Sequence, residues 1–398
     1  MTDWLGFLLA VVALLVISQK NLGLAMFTGA IILGIFTVPS QLPTTFWLTF
    51  TDPSTILLAV VVGLIPIIGG VLKASGQMDS LVSNLRIGKR PFLMLSPALV
   101  GLLPMPGGAL LSAPLIEKGG RDLSNEKKAG INVWFRHVLY LIYPISPDLI
   151  VSAQAAQLGV YQTIPYLTPI LLFSLLLGYF FFLRDITGRI EYSGEFSPRG
   201  LVLPLSALLA APIIDVLVKT FIHPTIEEAA TLIGVSASLL IALAIWGARP
   251  RKLGAIVLEA EPWSFASMVM GIMFFLNVFK RSGIPQLVET TNITPEILFI
   301  VGFLLGFGTG RIVTPAGIVF PIFLTKFGAI SLPTFAVTYF SIFLGYVVTP
   351  VHPCVSLSVE SFKTKIKEYL RTVMPPAMIA LVLSFLFLCS VNLPRTVQ

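Results

Sequence analysis

Apolar runs of about 17 to 25 residues, each long enough to cross a bilayer, recur from Trp4 almost to the C-terminus. Lipid offers the peptide group no hydrogen bond, so such segments must satisfy their backbone internally, as helices. The chain is 56% hydrophobic and 11% charged, where a soluble protein carries roughly a quarter charged residues. An all-α membrane protein is therefore expected, with lipid as its solvent.

Spans are expected near Trp4–Ile17, Leu22–Val38, Thr55–Leu72, Ile131–Leu158, Ile164–Leu183, Leu201–Val218, Ala229–Trp246, Trp263–Phe279, Leu332–Val359 and Val373–Val391. This makes about ten transmembrane helices. Two further apolar stretches, Pro91–Ile116 and Ile297–Thr325, are broken midway by Met105-Pro106-Gly107-Gly108 and by Gly308-Thr309-Gly310-Arg311 before Pro315, and read as two re-entrant hairpins. The first run is preceded by Asp3 and no Lys or Arg, and no small-residue cleavage pattern follows, so it reads as a span rather than a signal peptide.

Lys and Arg should crowd the cytoplasmic connections. Nineteen of the 26 fall on one side of this scheme, among them Lys20, Lys73, Arg86, Lys128, Arg184, Arg251 and Lys363. Five fall on the other: Lys219, Lys280, Arg281, Lys326 and Arg395. Arg136 and Arg311 remain inside membrane segments. The expected topology is a multi-pass protein of the cell membrane with both termini non-cytoplasmic and hairpins entering from opposite faces. Because the basic residues are dispersed between apolar runs, the formal charge of +7 reads as topology and not as a nucleic-acid surface.

Three matches recur at nearly one offset. Val71-Leu72-Lys73-Ala74-Ser75-Gly76 pairs with Val278-Phe279-Lys280-Arg281-Ser282-Gly283, Met105-Pro106-Gly107-Gly108 with Thr314-Pro315-Ala316-Gly317, and Pro144-Ile145-Ser146-Pro147 with Pro350-Val351-His352-Pro353. This predicts two repeats, residues 1–190 with hairpin 91–117 and residues 199–392 with hairpin 296–326. An odd number of spans per repeat inverts the second. Inverted repeats with broken helices are a transporter architecture, in which half-helix ends and unwound backbone meet substrate and ion.

The expected breaks are Pro144 and Pro147 in one span, Pro350 and Pro353 in the other, since each proline removes a helical donor. Freed carbonyls and the Ser146 hydroxyl would suit a cation such as Na⁺. Asp148 reads either as a proton or cation site or as a residue at the outer interface. His352 reads either as a proton-coupling group or as a packing histidine. Arg311 requires an anion, from protein or substrate, or else snorkels to the interface. Arg136 and His137, nearer the cytoplasmic end of their span, are expected as interfacial anchors. Asp215 and Lys219 read as a local i,i+4 pair, and Asn277 as a residue able to bond a neighbouring helix. Cys354 and Cys389 have no second Cys or His at zinc-ligand spacing, so neither disulfide nor metal site is expected. The cofactor expectation is none, beyond Na⁺ as a coupling ion.

At these breaks and tips the sequence resembles the ion transporter superfamily, most of all a prokaryotic integral-membrane branch known as the domain of unknown function 401 family. The resemblance covers nearly the whole chain. It implies an elevator-type fold, usually in a homodimer, and places Pro106, Gly107, Gly108, Ser146, Thr314, Pro315, Thr349 and Pro353 at matching tip and break positions. The Ser-Asn-Thr type signature of the sodium-dicarboxylate carriers is absent from both tips, which leaves Na⁺ or H⁺ coupling open.

Together these features describe a secondary active transporter of a small anion, possibly an organic carboxylate. The substrate site falls on Pro106, Gly107, Gly108, Ser146, Gly310, Arg311, Thr314, Pro315, Thr349 and His352, with ion coupling at Ser146, Asp148, Thr314, Thr349 and His352. The alternative is a sodium-proton antiporter titrating Asp148 and His352, and behind it a passive channel or an intramembrane enzyme. No catalytic set and no phosphate-binding Gly-x-x-x-x-Gly-Lys-Ser/Thr loop occur, so neither an enzyme nor an ATP-driven pump is expected.

Overall fold

A computed structural model describes residues 2–102, 107–190, 192, 195–247 and 250–392. These form twenty α-helices and no strand. In chain order they are α1 (Thr2–Ile17), α2 (Leu22–Thr37), α3 (Leu42–Thr51), α4 (Pro53–Ala74), α5 (Gln77–Ser83), α6 (Lys89–Gly101) and α7 (Gly108–Gly119). Next come α8 (Asn125–Val138), α9 (Pro147–Ala155), α10 (Val160–Gly178), α11 (Pro198–Phe221), α12 (Glu227–Trp246), α13 (Pro250–Ala260) and α14 (Pro262–Arg281). The chain ends with α15 (Ile284–Glu289), α16 (Pro295–Thr309), α17 (Val313–Phe327), α18 (Leu332–Val348), α19 (Pro353–Ser361) and α20 (Ile366–Asn392).

Local chemistry sets these boundaries. Asp52 accepts from the Thr55 amide at 2.8 Å and Pro53 opens α4, so an orphan donor is capped and one is absent. Ser197, Thr294 and Ser331 cap α11, α16 and α18 in the same way. Gly247 ends α12 in the left-handed conformation (φ 70°).

Seven helical segments are long and apolar enough to cross a membrane, within Pro53–Ala74, Val160–Leu183, Pro198–Phe221, Glu227–Trp246, Lys252–Arg281, Leu332–Ser361 and Ile366–Val391. The three other expected crossings are occupied by shorter pieces. α1 and α2 have 16 residues each, about 24 Å of helix against a hydrocarbon core of about 30 Å. The expected span Ile131–Leu158 is divided into α8 and α9. The helices α3, α5, α13 and α15 fall in stretches taken as connections, because they are short and their apolar residues do not fill a spanning window.

Packing sorts the helices into two groups, each drawn from both halves of the chain. α1 to α5 and α11 to α14 pack on one another, as do α6 to α10 with α16 to α20. Between the groups the principal contacts are those of α17 with α14 and with the connecting helix α15. In lipid, helix association rests on close van der Waals fit, which small residues permit. Gly302 and Gly306 of α16 accordingly face Ile342 of α18, while Gly345 faces Phe303. Exposed Leu8, Val12, Leu172, Leu209, Leu240 and Leu386 supply an outward apolar surface.

Loops assigned to one face by charge contact one another. Lys73 pairs with Glu259 at 2.7 Å, Lys89 with Asp122 at 2.6 Å, and Arg90 donates to the Ile186 and Arg184 carbonyls at 2.7 and 2.8 Å. Lys326, assigned by charge to the opposite face, donates to the Glu289 and Thr291 carbonyls at 2.7 and 2.6 Å.

Candidate functional site

Both proline-bearing spans open where expected. α8 ends at Val138, passes through a 3-10 turn over Leu139–Leu141, and restarts at Pro147 after an extended Ser146 (φ −65°, ψ 124°). α18 ends at Val348 and restarts at Pro353 after an extended His352 (φ −68°, ψ 122°). Proline suits the first helical position, where its missing N–H would lack a partner anyway. Opening a helix strands both amides and carbonyls, and new partners for one of each are visible. The Val351 amide bonds Thr349 Oγ1 at 3.2 Å, and Tyr369 donates its hydroxyl to the Val347 carbonyl at 2.8 Å.

The two helix pairs turn on left-handed glycines, Gly107 (φ 69°) before α7 and Gly310 (φ 61°) after α16. At Gly310 the conformation and the space both demand glycine: a Cβ would lie 2.9 Å from the His352 nitrogen and 3.0 Å from the Val351 carbonyl carbon. This tip therefore rests directly on the second break. The arms cross over between halves, with α7 packed on α19 and α17 on α9.

A cavity of about 410 Å³ lies where these pieces meet. Gly107, Pro147, Asp148, Gly310, Arg311, His352 and Pro353 line it, so seven expected site or break positions, one from each tip or break at least, are brought together. The helices α7, α9, α17 and α19 all begin at this cavity. Each helix start carries unsatisfied N–H groups and a partial positive charge. The Arg311 guanidinium makes no hydrogen bond or ion pair among the described residues, its backbone alone bonding Thr309 Oγ1, and it shares the cavity lining with the half-buried Asp148.

Other expected residues do not reach the cavity. Ser146, Thr314 and Thr349 are fully buried behind it, and the Ser146 and Thr314 hydroxyls have no partner among the described residues. Gly108, Pro315, Pro144 and Pro350 are likewise outside its lining. Pro106 and Met105 lie outside the described residues.

Arg136 and His137 depart from expectation. They are not interfacial anchors: their exposures are 4% and 5%, and both line the cavity. α8 runs deeper than its flanking charges imply, since Asn132 one turn earlier is also fully buried and donates to the Ala109 carbonyl (3.1 Å) and to Ser358 Oγ (2.9 Å), joining α7 to α19. Arg136 Nη1 donates to Ser112 Oγ at 3.3 Å. His137 Nε2 lies 3.3 Å from His352 Nε2, and Tyr346 packs its ring on His352 with centroids 4.0 Å apart. The sequence signal for this cluster was slight: a charged and a titratable residue adjacent inside an apolar run.

Asp215 and Lys219 form the expected local pair at 3.1 Å. Tyr161 (2.7 Å) and Thr231 (3.0 Å) also donate to that carboxylate, so it ties α10, α11 and α12 together away from the cavity. Asn277 donates to Thr49 Oγ1 of α3 at 2.9 Å.

The fold is that of known transporters. The Alcanivorax borkumensis YdaH transporter superposes with a TM-score of 0.62 at 14% identity, covering 98% of this chain and 99% of that one. Neisseria gonorrhoeae MtrF, described with a class of antimetabolite efflux pumps, superposes with a TM-score of 0.53 at 14% identity, covering 89% and 84%. No curated protein matches the sequence significantly. The family described as "Protein of unknown function (DUF401)" matches residues 4–391, and the chain belongs to that family.

Proposed function

We propose that this membrane transporter is a secondary carrier of a small anion, coupled to Na⁺ or H⁺ and working by an elevator-type movement. The observation that carries the reading is the convergence of four helix starts and two guanidinium groups, Arg136 and Arg311, on one cavity. Partial charges of helix N-termini add to those of the guanidinium groups, whose planar donors match a carboxylate. The transporter folds of YdaH and MtrF support the class but carry no substrate to this chain.

The matched backbone at Ser146 and His352, the left-handed glycines at both tips and the crossed packing of α7 and α17 support two inverted repeats with re-entrant hairpins. Membership of the ion transporter superfamily rests on the same features. The sparse contacts between helix groups support sliding of one against the other as a route to alternating access at the cavity, whose lining comes from both groups. The coupling ion would be cargo. The unpartnered Ser146 and Thr314 hydroxyls lie on α9 and α17, which pack together, and favour a cation there. A homodimer in the cell membrane, with both termini outside the cytoplasm, completes the reading.

Uptake of small organic anions into proteoliposomes, with imposed Na⁺ or H⁺ gradients, tests it. Gradient-dependent uptake that collapses in Arg311→Ala is expected. Full uptake by that variant removes Arg311 from the site, and Na⁺-driven proton movement without any organic anion establishes the antiporter instead. The presence of Asp148 in the cavity favours that second reading.

A further inference from the structure

His137 lies on α8 while His352 caps α19 and Cys354 sits in its first turn, and their donor atoms all lie within 4.8 Å of one another at the cavity wall. We infer that they form a site for a thiophilic transition-metal cation of the Zn²⁺ class, with the fourth coordination position open to the cavity. The two imidazoles are already spaced for it. Zn–N bonds of about 2.0–2.1 Å at a tetrahedral angle put two nitrogens about 3.3 Å apart, and the two Nε2 atoms are 3.3 Å apart. His137 is held in the ligating tautomer: its Nδ1 lies 2.7 Å from the Val133 carbonyl, which can only accept, so the proton sits on Nδ1 and the Nε2 lone pair faces His352. His352 is 4% exposed, and its Nδ1 has no partner among the described residues. With only the two rings present, one Nε2 must spend its proton on the other. A metal ion between them lets both donate lone pairs and leaves His352 with its proton on Nδ1.

Cys354 adds the soft donor, its Sγ lying within 4.8 Å of a ring nitrogen of each histidine. Binding is a proton exchange without redox change: the thiol and the aquated M²⁺ give a metal–thiolate bond, and the thiol proton leaves to solvent. The thiolate cancels one of the metal's two charges. The remaining charge, with Arg136 and Arg311 in the same lining, favours an anionic fourth ligand, a position for which the lining carboxylates Asp148 and Glu261 compete with a small anion from solution. The metal site does not depend on anion transport, because binding is measured without it.

Chelator-treated protein in detergent, titrated with Co²⁺, tests the site. One Co²⁺ per chain is expected, with thiolate-to-Co²⁺ charge-transfer absorbance that Zn²⁺ abolishes. Cys354→Ser should lose that absorbance while Cys389→Ser keeps it, and His137→Gln or His352→Gln should weaken binding at least tenfold. Absence of the band in the wild-type protein, or its persistence in Cys354→Ser, overturns the assignment. Should Cys354→Ser fail to fold, maleimide labelling of Cys389→Ser decides: Cd²⁺ must protect Cys354, and unchanged labelling overturns the site.

Discussion

The two breaks share a backbone and differ in chemistry. Ser146 and His352 have nearly the same φ and ψ, and a proline opens the helix after each. Around the first break stand a buried hydroxyl without a partner among the described residues and Asp148; around the second stand His352 and Cys354, with the tip glycine Gly310 pressed against Val351 and His352. The shared geometry points helix starts at one cavity, which side chains from both halves then furnish separately. The matching backbone of the two breaks therefore aims helix starts at one cavity, and the differing side chains give each side of it its own chemistry.

Substitutions of like residues in the two halves should break this comparison wherever their effects coincide. The largest difference is expected between the arginines. Arg311→Ala should lower anion uptake roughly 10- to 100-fold, the equivalent of one or two hydrogen bonds to a charged group, and leave the melting temperature nearly unchanged. Arg136→Ala should lower both, because Arg136 is buried and bonded to Ser112. Uptake and detergent melting curves measured on the same preparations separate the two.

Glycine replacement comes next. Gly310→Ala incurs left-handed strain of about 1–3 kcal/mol together with overlap onto His352 and Val351. At Gly107 only the strain applies among the described residues, where the nearest atom to a Cβ is 3.8 Å away. Chemical denaturation should show the larger loss for Gly310→Ala; equal losses would mean that the second tip does not rest on its break.

Thr349→Val should cost about 1 kcal/mol through loss of the bond to the Val351 amide. Ser146→Ala should cost less in the absence of Na⁺, because its hydroxyl has no partner to lose, yet it should remove any stabilisation by Na⁺. Thermal shift with and without Na⁺ measures both effects.

The smallest effect lies outside the membrane. The Lys89 ammonium holds the Asp122 carboxyl below its usual value of 3.8. A depressed folded-state value means that this contribution is present above about pH 4 and is lost as pH falls through the lowered value. Both the exposure of Asp122 and solvent screening limit it to about 1 kcal/mol or less. Asp122→Asn should therefore flatten the acid limb of the stability profile slightly, and an effect at neutral pH beyond that limit would show that the pair anchors the hairpin base.

Much of this arrangement was legible before any fold. Hydropathy is a local property, so α4, α10, α11, α12, α14 and α20 follow from apolar runs that must satisfy their backbone in lipid. Pro147, Pro353, Gly107 and Gly310 act within a few residues of themselves, which is why their breaks and turns could be read directly. The division of α8 from α9 was legible in kind, but the lengths of α1 and α2 were not, since hydropathy carries no sharp end signal.

The sequence by itself determined where the long apolar helices form and where two of the expected spans break, because a backbone in lipid must bond within its own segment and proline removes a donor. Tertiary structure alone decided that Arg136 faces the cavity, that His137 meets His352 across 215 positions of chain, and that Cys354 joins them. Such meetings depend on how α7, α8, α18 and α19 pack. Local propensity contains no term for that, so the most chemically specific part of the site emerged only in three dimensions.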